Sequence, residues 1–161
     1  MTYAPEQLAD LETRLSEATE SSRELDRILA KIAGWHRVEP KHTNSIHGGW
    51  IAPEDFCGVR GGGAPILDSL HGTEIHRDPP AVTRSIDSAL AFCEAVMPDM
   101  NCHGYDAGPK LIEAWISRNH CPDGHWYFNG YHKTSVPIAF CIAAVRALLG
   151  KKNRRVACSP G

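Results

Sequence analysis

The longest run of apolar positions at helical spacing lies toward the C-terminal end of the chain. In TSVPIAFCIAAVRALL, Thr134 to Leu149, the residues Ile138, Cys141, Ile142, Val145, Leu148 and Leu149 recur at intervals of three and four, which lines one face of an α-helix. Thr134 or Ser135 caps the start and Pro137 fits a first turn; Gly150 with Lys151 and Lys152 supplies a stop and charges suited to the negative end of the dipole. Burial of these side chains at ~1.5–3 kcal/mol each makes this segment the expected core element. Ala139, Ala143, Ala144 and Ala147 keep the rest of its surface small, so a sheet or a second helix can approach closely.

Residues 5 to 33 predict helix in two pieces. Leu8, Leu11 and Leu15 form a stripe that the polar run SEATESS interrupts. Ser21 with Glu24 then reads as a capping box restarting a helix through Leu25, Ile28, Leu29 and Ile32, with Gly34 as its stop. One long helix and a bent pair both satisfy this pattern, and the narrow first stripe also suits a dimer contact. A further helix is expected from Arg84 to about Val96, capped by Thr83, with Ile86, Leu90, Cys93 and Met97 on one side and Pro98 after its end.

Lys110 to Arg118 alternates with both faces at least half apolar, as a central strand does. Pro122-Asp123-Gly124 is a turn signal, and the aromatic run Trp126 to Tyr131 reads as the returning strand. Asp99 to Asp106 is a third strand candidate. Helices before and after antiparallel strands imply an α+β protein.

Between Trp35 and Ala81 periodicity disappears. The stretch holds Gly48-Gly49, Gly61-Gly62-Gly63, five prolines and five of the nine histidines. It also holds Trp50, Ile51, Phe56, Val59, Ile66, Leu67, Leu70 and Ile75, too much apolar surface for a tail. So long an irregular segment is either functional or disordered, and its apolar content predicts an ordered insertion laid over the core, with one short strand around Gly49 to Ala52.

The order of these landmarks resembles the phage ABA sandwich domain family. The resemblance is carried by IAGW (Ile32 to Trp35), VTRSIDSAL (Val82 to Leu90) after a proline pair, the strand hairpin, and SVPIAFCIAAVRALL near the end. It implies a small antiparallel sheet with helices on both faces, an α/β/α sandwich, over residues 22 to 35 and 79 to 150. On that basis 1–150 is one domain with a helical extension (1–20) and a large irregular insertion (36–80), followed by a basic flexible tail (151–161). The family brings no established activity, so the resemblance implies no catalytic residue.

Charge narrows the partners. Of the 17 Lys and Arg, four lie in the last eleven residues, which carry no acid; the remaining 13 face 19 acidic residues, so the body is at −6. An acidic body argues against general nucleic-acid binding. No secretory leader and no apolar run of about 18 residues is read, and the six cysteines contain no CxxC pair. These features predict a protein of a reducing cytoplasm without membrane contact, and the phage resemblance implies that this is the host cytoplasm.

No Walker loop, GxGxxG, HExxH or GxSxG occurs, so no catalytic residue and no cofactor are assigned. Cys102, Cys121 and His125 are the side chains a zinc ion would use, but their spacing matches no zinc-knuckle pattern and the PDG turn accounts for the local residues. His120, His125 and His132 are read as ordinary loop residues. Gly61, Gly62 and Gly63 beside Arg60 offer backbone amides to a phosphate. Trp50, His71, His76, Arg77, Trp126 and Tyr131 add cationic and aromatic groups that stack on bases and clamp phosphates. Trp35, following a helix stop, and Trp115, within the sheet, are assigned to the interior.

The function expected from this reading is a non-enzymatic phage accessory protein that sequesters a small anionic, nucleotide-type ligand of host defence, as a homo-oligomer. A second expectation is an interaction module that inhibits a host factor through its N-terminal helix and acidic body. A third is a metal-assisted hydrolase of a nucleotide signal.

Overall fold

The structure, a computed structural model, describes residues 3–40, 48–53, 75–117, 126–150 and 153–154. In chain order its elements are α1 (Pro5–Glu17), α2 (Arg23–Ile32), β1 (His36–Val38), β2 (Gly49–Ile51) and α3 (Ile86–Val96). β3 (Cys102–Ala107), β4 (Ile112–Ser117), β5 (Trp126–His132), α4 (Val136–Leu148) and β6 (Asn153–Arg154) follow. Strands β3, β4, β5 and β6 form one antiparallel sheet in sequence order, and β1 and β2 pair separately. The class is α+β, as the sequence pattern implies.

The predicted core helix is α4. The Ser135 hydroxyl accepts the N–H of Ile138 at 3.3 Å, Pro137 sits in the first turn, and Gly150 takes the left-handed conformation (φ 68°) that ends the helix. Every residue from Ile138 to Val145 is buried, because α4 is covered on more than its apolar stripe. The sheet lies on one side, where Ile112, Ala114, Ile116 and Phe128 are buried. On the same face His103 and Tyr105 present ring edges to Phe140, at 6.2 and 6.3 Å between centroids. The small-residue surface expected from the alanines is used at Gly130 of β5. A Cβ there would fall 1.9 Å from the Ala139 carbonyl oxygen and 2.6 Å from the Ala143 nitrogen, so strand and helix backbones are in direct contact.

Helices α1 and α3 pack against α4. The Leu8, Leu11 and Leu15 stripe is buried in this core, so α1 turns it inward. Arg146 of α4 locks the arrangement: Nε donates to Glu12 of α1 at 2.7 Å, and a terminal nitrogen donates to the Asn129 carbonyl of β5 at 2.8 Å.

The structure shifts several local readings. The N-terminal pieces are a bent pair, and Ser22 caps α2, accepting the Leu25 N–H at 3.4 Å, where the sequence suggested Ser21. Ser85 caps α3, so the helix begins two residues later than predicted and Ile86 is exposed. Thr83 is occupied otherwise: its N–H and hydroxyl both donate to one carboxylate oxygen of Asp26, at 2.7 and 2.8 Å, and its hydroxyl accepts the Ser22 N–H at 3.0 Å. Asp26 and Thr83 are both buried, so this latch fixes the start of α2 against the entry to α3. The strand expected at Gly49 to Ala52 is β2; its partner β1 went unread because three residues give no alternation. Trp50 exchanges backbone hydrogen bonds of 2.7 and 2.8 Å with His76, which ties β2 to the C-terminal end of the insertion. In the tail, β6 pairs with Trp126 and Tyr127.

Candidate functional site

The latch between Asp26 and Thr83 determines where the cationic side chains collect. Arg23 and Arg27 are four apart on α2 and share a face, and Arg84 lies just before α3. With α2 and α3 pinned at their starts, these three exposed arginines line one notch of about 60 Å³, walled by Pro79 and Ala81. At roughly 30 Å³ per water molecule the notch holds about two waters, the size of a single tetrahedral oxyanion. Among the described residues none of the three arginines has a hydrogen-bond or ion-pair partner. Asp26 and Asp78 also line the notch, leaving one positive charge in excess, and Asp26 already accepts two hydrogen bonds from Thr83. The starts of two helices add partial positive charge, offset in part by Asp26 and Asp87 in their first turns.

Behind the same wall lies a second opening. Pro79 and Ala81 border the notch, whereas Pro80 and Val82 border an apolar cleft of about 360 Å³ formed with Trp35, Pro53, Phe92, Ala91 and Ala95, with Asp87 and Ser88 as its polar groups. Trp35 is half-buried rather than interior, and meets His76 edge to face at 5.2 Å. The notch and the apolar cleft thus share one four-residue wall.

The residues proposed from sequence fall in several places. His76 is half-buried against Trp35, and exposed Arg77 directly precedes Asp78 of the notch. Trp50 is 3% exposed and carries the Arg37 guanidinium 5.8 Å from its ring, so it packs rather than offering an open face. Tyr131 lies on the sheet face away from α4, beneath Arg146 at 5.6 Å and 3.3 Å from both Glu113 and Asn129. There the Asn129 side-chain Nδ2 donates to Glu113, and the side-chain Oδ1 is buried with no hydrogen-bond partner among the described residues. A carboxylate at the centre of that cluster suits a donor, not an anion. Arg60, Gly61, Gly62, Gly63 and His71 lie outside the described residues, as does the side chain of Trp126.

For metal, Cys102 is half-buried at the start of β3, while Cys121 and His125 lie outside the described residues. Among the described residues no three His, Cys, Asp or Glu side chains stand close enough to hold an ion. His132, read as a loop residue, is a buried joint at the end of β5. Its Nδ1 accepts the N–H groups of Thr134 and Ser135 at 3.2 and 2.9 Å, and Nε2 donates to the Ala18 carbonyl at 2.7 Å. Burial pushes the Cys93 thiol up to about 12, and likewise raises that of Cys141 well above its ordinary range, which keeps both protonated.

Arg23, Arg27, Arg84 and Trp35 were not singled out in the sequence as ligand residues. The spacing of Arg23 and Arg27 is readable, but their meeting with Arg84 depends on a contact across 57 residues. Among the described residues no helix is long and apolar enough to cross a membrane. No protein-family model matches the chain, and neither a curated protein nor a solved structure matches it.

Proposed function

We propose that this protein captures a small anionic ligand of nucleotide type by binding alone. The phosphate end sits among Arg23, Arg27 and Arg84, and the flat ring system enters the cleft beside Trp35, straddling the wall from Pro79 to Val82. The observation that carries the reading is that three arginines, none with a partner among the described residues, line one oxyanion-sized notch next to a cleft bordered by Trp35. Guanidinium groups bind phosphate through charge-assisted, often paired hydrogen bonds, and an indole face stacks on any base. Asp87 and Ser88 at the cleft give a ring edge polar groups to meet. The phage-type resemblance of the sequence supports a role in withholding a host defence signal, for which tight reversible binding suffices.

The test is a thermal-shift screen of the full chain against cyclic nucleotides and ADP-ribose derivatives, with mass spectrometry of small molecules that co-purify. At 100-fold above Kd a ligand adds ~2.7 kcal/mol, which for a chain of this size is a rise of about 5–10 °C. An intact nucleotide released from the purified protein, and a shift abolished by Arg84→Glu, are the expected results. Release of a cleaved product points to a hydrolase, and the absence of any shift, or one that survives Arg84→Glu, overturns the proposal.

A further inference from the structure

A further opening lies between the two N-terminal helices. Helix α1 is held on α4 by its leucine stripe, whereas α2 is held by the Asp26–Thr83 latch, and the two are joined by residues 18–22 and by the Arg14–Glu24 ion pair. Between them runs an open groove of about 420 Å³. Its floor is Leu8 and Leu11 from α1 with half-buried Ile28 and Ile32 from α2, and Tyr3 closes one end, its phenol pushed upward by burial. Glu6 and Asp10, four apart on α1, stand exposed on the rim, and neither has a hydrogen-bond or ion-pair partner among the described residues. The rim's cation, Arg14, is neutralised by Glu24 at 2.6 Å, so the edge of the groove is acidic over an apolar floor.

We infer that this groove docks an amphipathic helix of a partner protein, one with an apolar stripe flanked by lysine or arginine. The shape follows from the geometry: α1 is 13 residues long, or ~20 Å at 1.5 Å per residue, and a third helix laid beside it buries its stripe on Leu8, Leu11, Ile28 and Ile32. The charge of the occupant follows from Glu6 and Asp10, which attract a basic flank and repel an acidic one. This inference is independent of the arginine notch, whose residues it does not use.

The experiment titrates the full chain into two fluorescein-labelled 18-residue helical peptides with the same leucine stripe, one flanked by lysines and one by glutamates, followed by anisotropy at two ionic strengths. The lysine peptide binds about tenfold tighter or more, and its advantage shrinks at high salt as a charge-steered contact requires. Glu6→Lys with Asp10→Lys, both exposed and without effect on the core, reverses the preference, and Ile28→Glu weakens both peptides. Equal affinity for the two peptides, or a preference unmoved by the charge reversal, overturns the inference. So does a concentration-dependent dimer in sedimentation that Ile32→Glu dissolves, because a second copy then fills the groove.

Discussion

Replacing Gly130 by alanine tests the packing of the sheet on the core helix α4. The new methyl carbon would stand 1.9 Å from the Ala139 oxygen, 2.6 Å from the Ala143 nitrogen and 3.0 Å from the Ala139 carbonyl carbon. All three are backbone atoms of α4, so no side chain can turn aside. Gly130 is not at positive φ, and its backbone conformation alone therefore does not bar alanine; the obstacle is contact. Restoring an ordinary separation requires moving strand from helix by about 1.5 Å. A gap of 0.5–1 Å already forfeits a quarter to a half of each van der Waals contact. Ile112, Ala114, Ile116 and Phe128 share that interface. The expected loss is ~3 kcal/mol, at the upper end of overpacking penalties, after allowing ~0.4–1 kcal/mol returned through the unfolded chain. For a chain of this length that lowers Tm by about 6–12 °C. Urea unfolding followed by far-ultraviolet circular dichroism measures it as a fall in midpoint at unchanged slope. Gly150→Ala is the control, since nothing stands within 4 Å of its Cβ and only the left-handed conformation (φ 68°) is strained, at ~1 kcal/mol. A Gly130→Ala protein within 1 kcal/mol of the parent, as a rough threshold for overpacking, refutes the direct contact of β5 with α4.

Other expectations are more local. Arg146→Ala removes the ion pair to Glu12, the bond to the Asn129 carbonyl and the cover on Tyr131, and should cost ~3 kcal/mol in the same assay, with Arg146→Lys recovering part but not the paired geometry. Cys93 and Cys141 should resist a thiol reagent in the native protein at pH 8 and react on unfolding. Because burial raises both thiols above the ordinary 9.0, the unfolded chain releases protons that the folded chain retains. Stability therefore falls as pH rises above about 9, by up to ~1.4 kcal/mol per pH unit for each thiol, and Cys141→Ala should flatten that slope; an identical slope in the variant contradicts it.

The elements that could be read from sequence are those whose signal is local. The stripe of α4, the alternation of β4, the aromatic run of β5 and the interruption at SEATESS each depend on neighbours within a turn or two, and each has its counterpart in the structure. The caps were displaced by one or two residues because Ser21, Ser22, Thr83 and Ser85 all carry a hydroxyl, and only the partner decides which one caps. Thr83 is taken by Asp26, a contact that no window along the chain contains. The arginine notch was unreadable for the same reason, since Arg84 joins Arg23 and Arg27 only through that latch. Trp50 shows the converse: an aromatic residue in a glycine-rich stretch resembles a binding ring, yet pairing with Arg37 and His76 draws it into the interior. Trp35, assigned to the interior because it follows a helix stop, borders a cleft instead, since the wall from Pro79 to Val82 passes beside it without closing over.

The most direct measurement is a two-dimensional NMR titration of the full chain with ADP-ribose, following backbone amides and the tryptophan indole N–H signals. Capture at the notch and cleft predicts saturable, concerted shifts at Arg23, Arg27, Arg84 and the Trp35 indole, all lost in the Arg84→Glu protein. Shifts that do not saturate, or that centre on Tyr131 and the far face of the sheet while Arg23 and Trp35 stay still, contradict it.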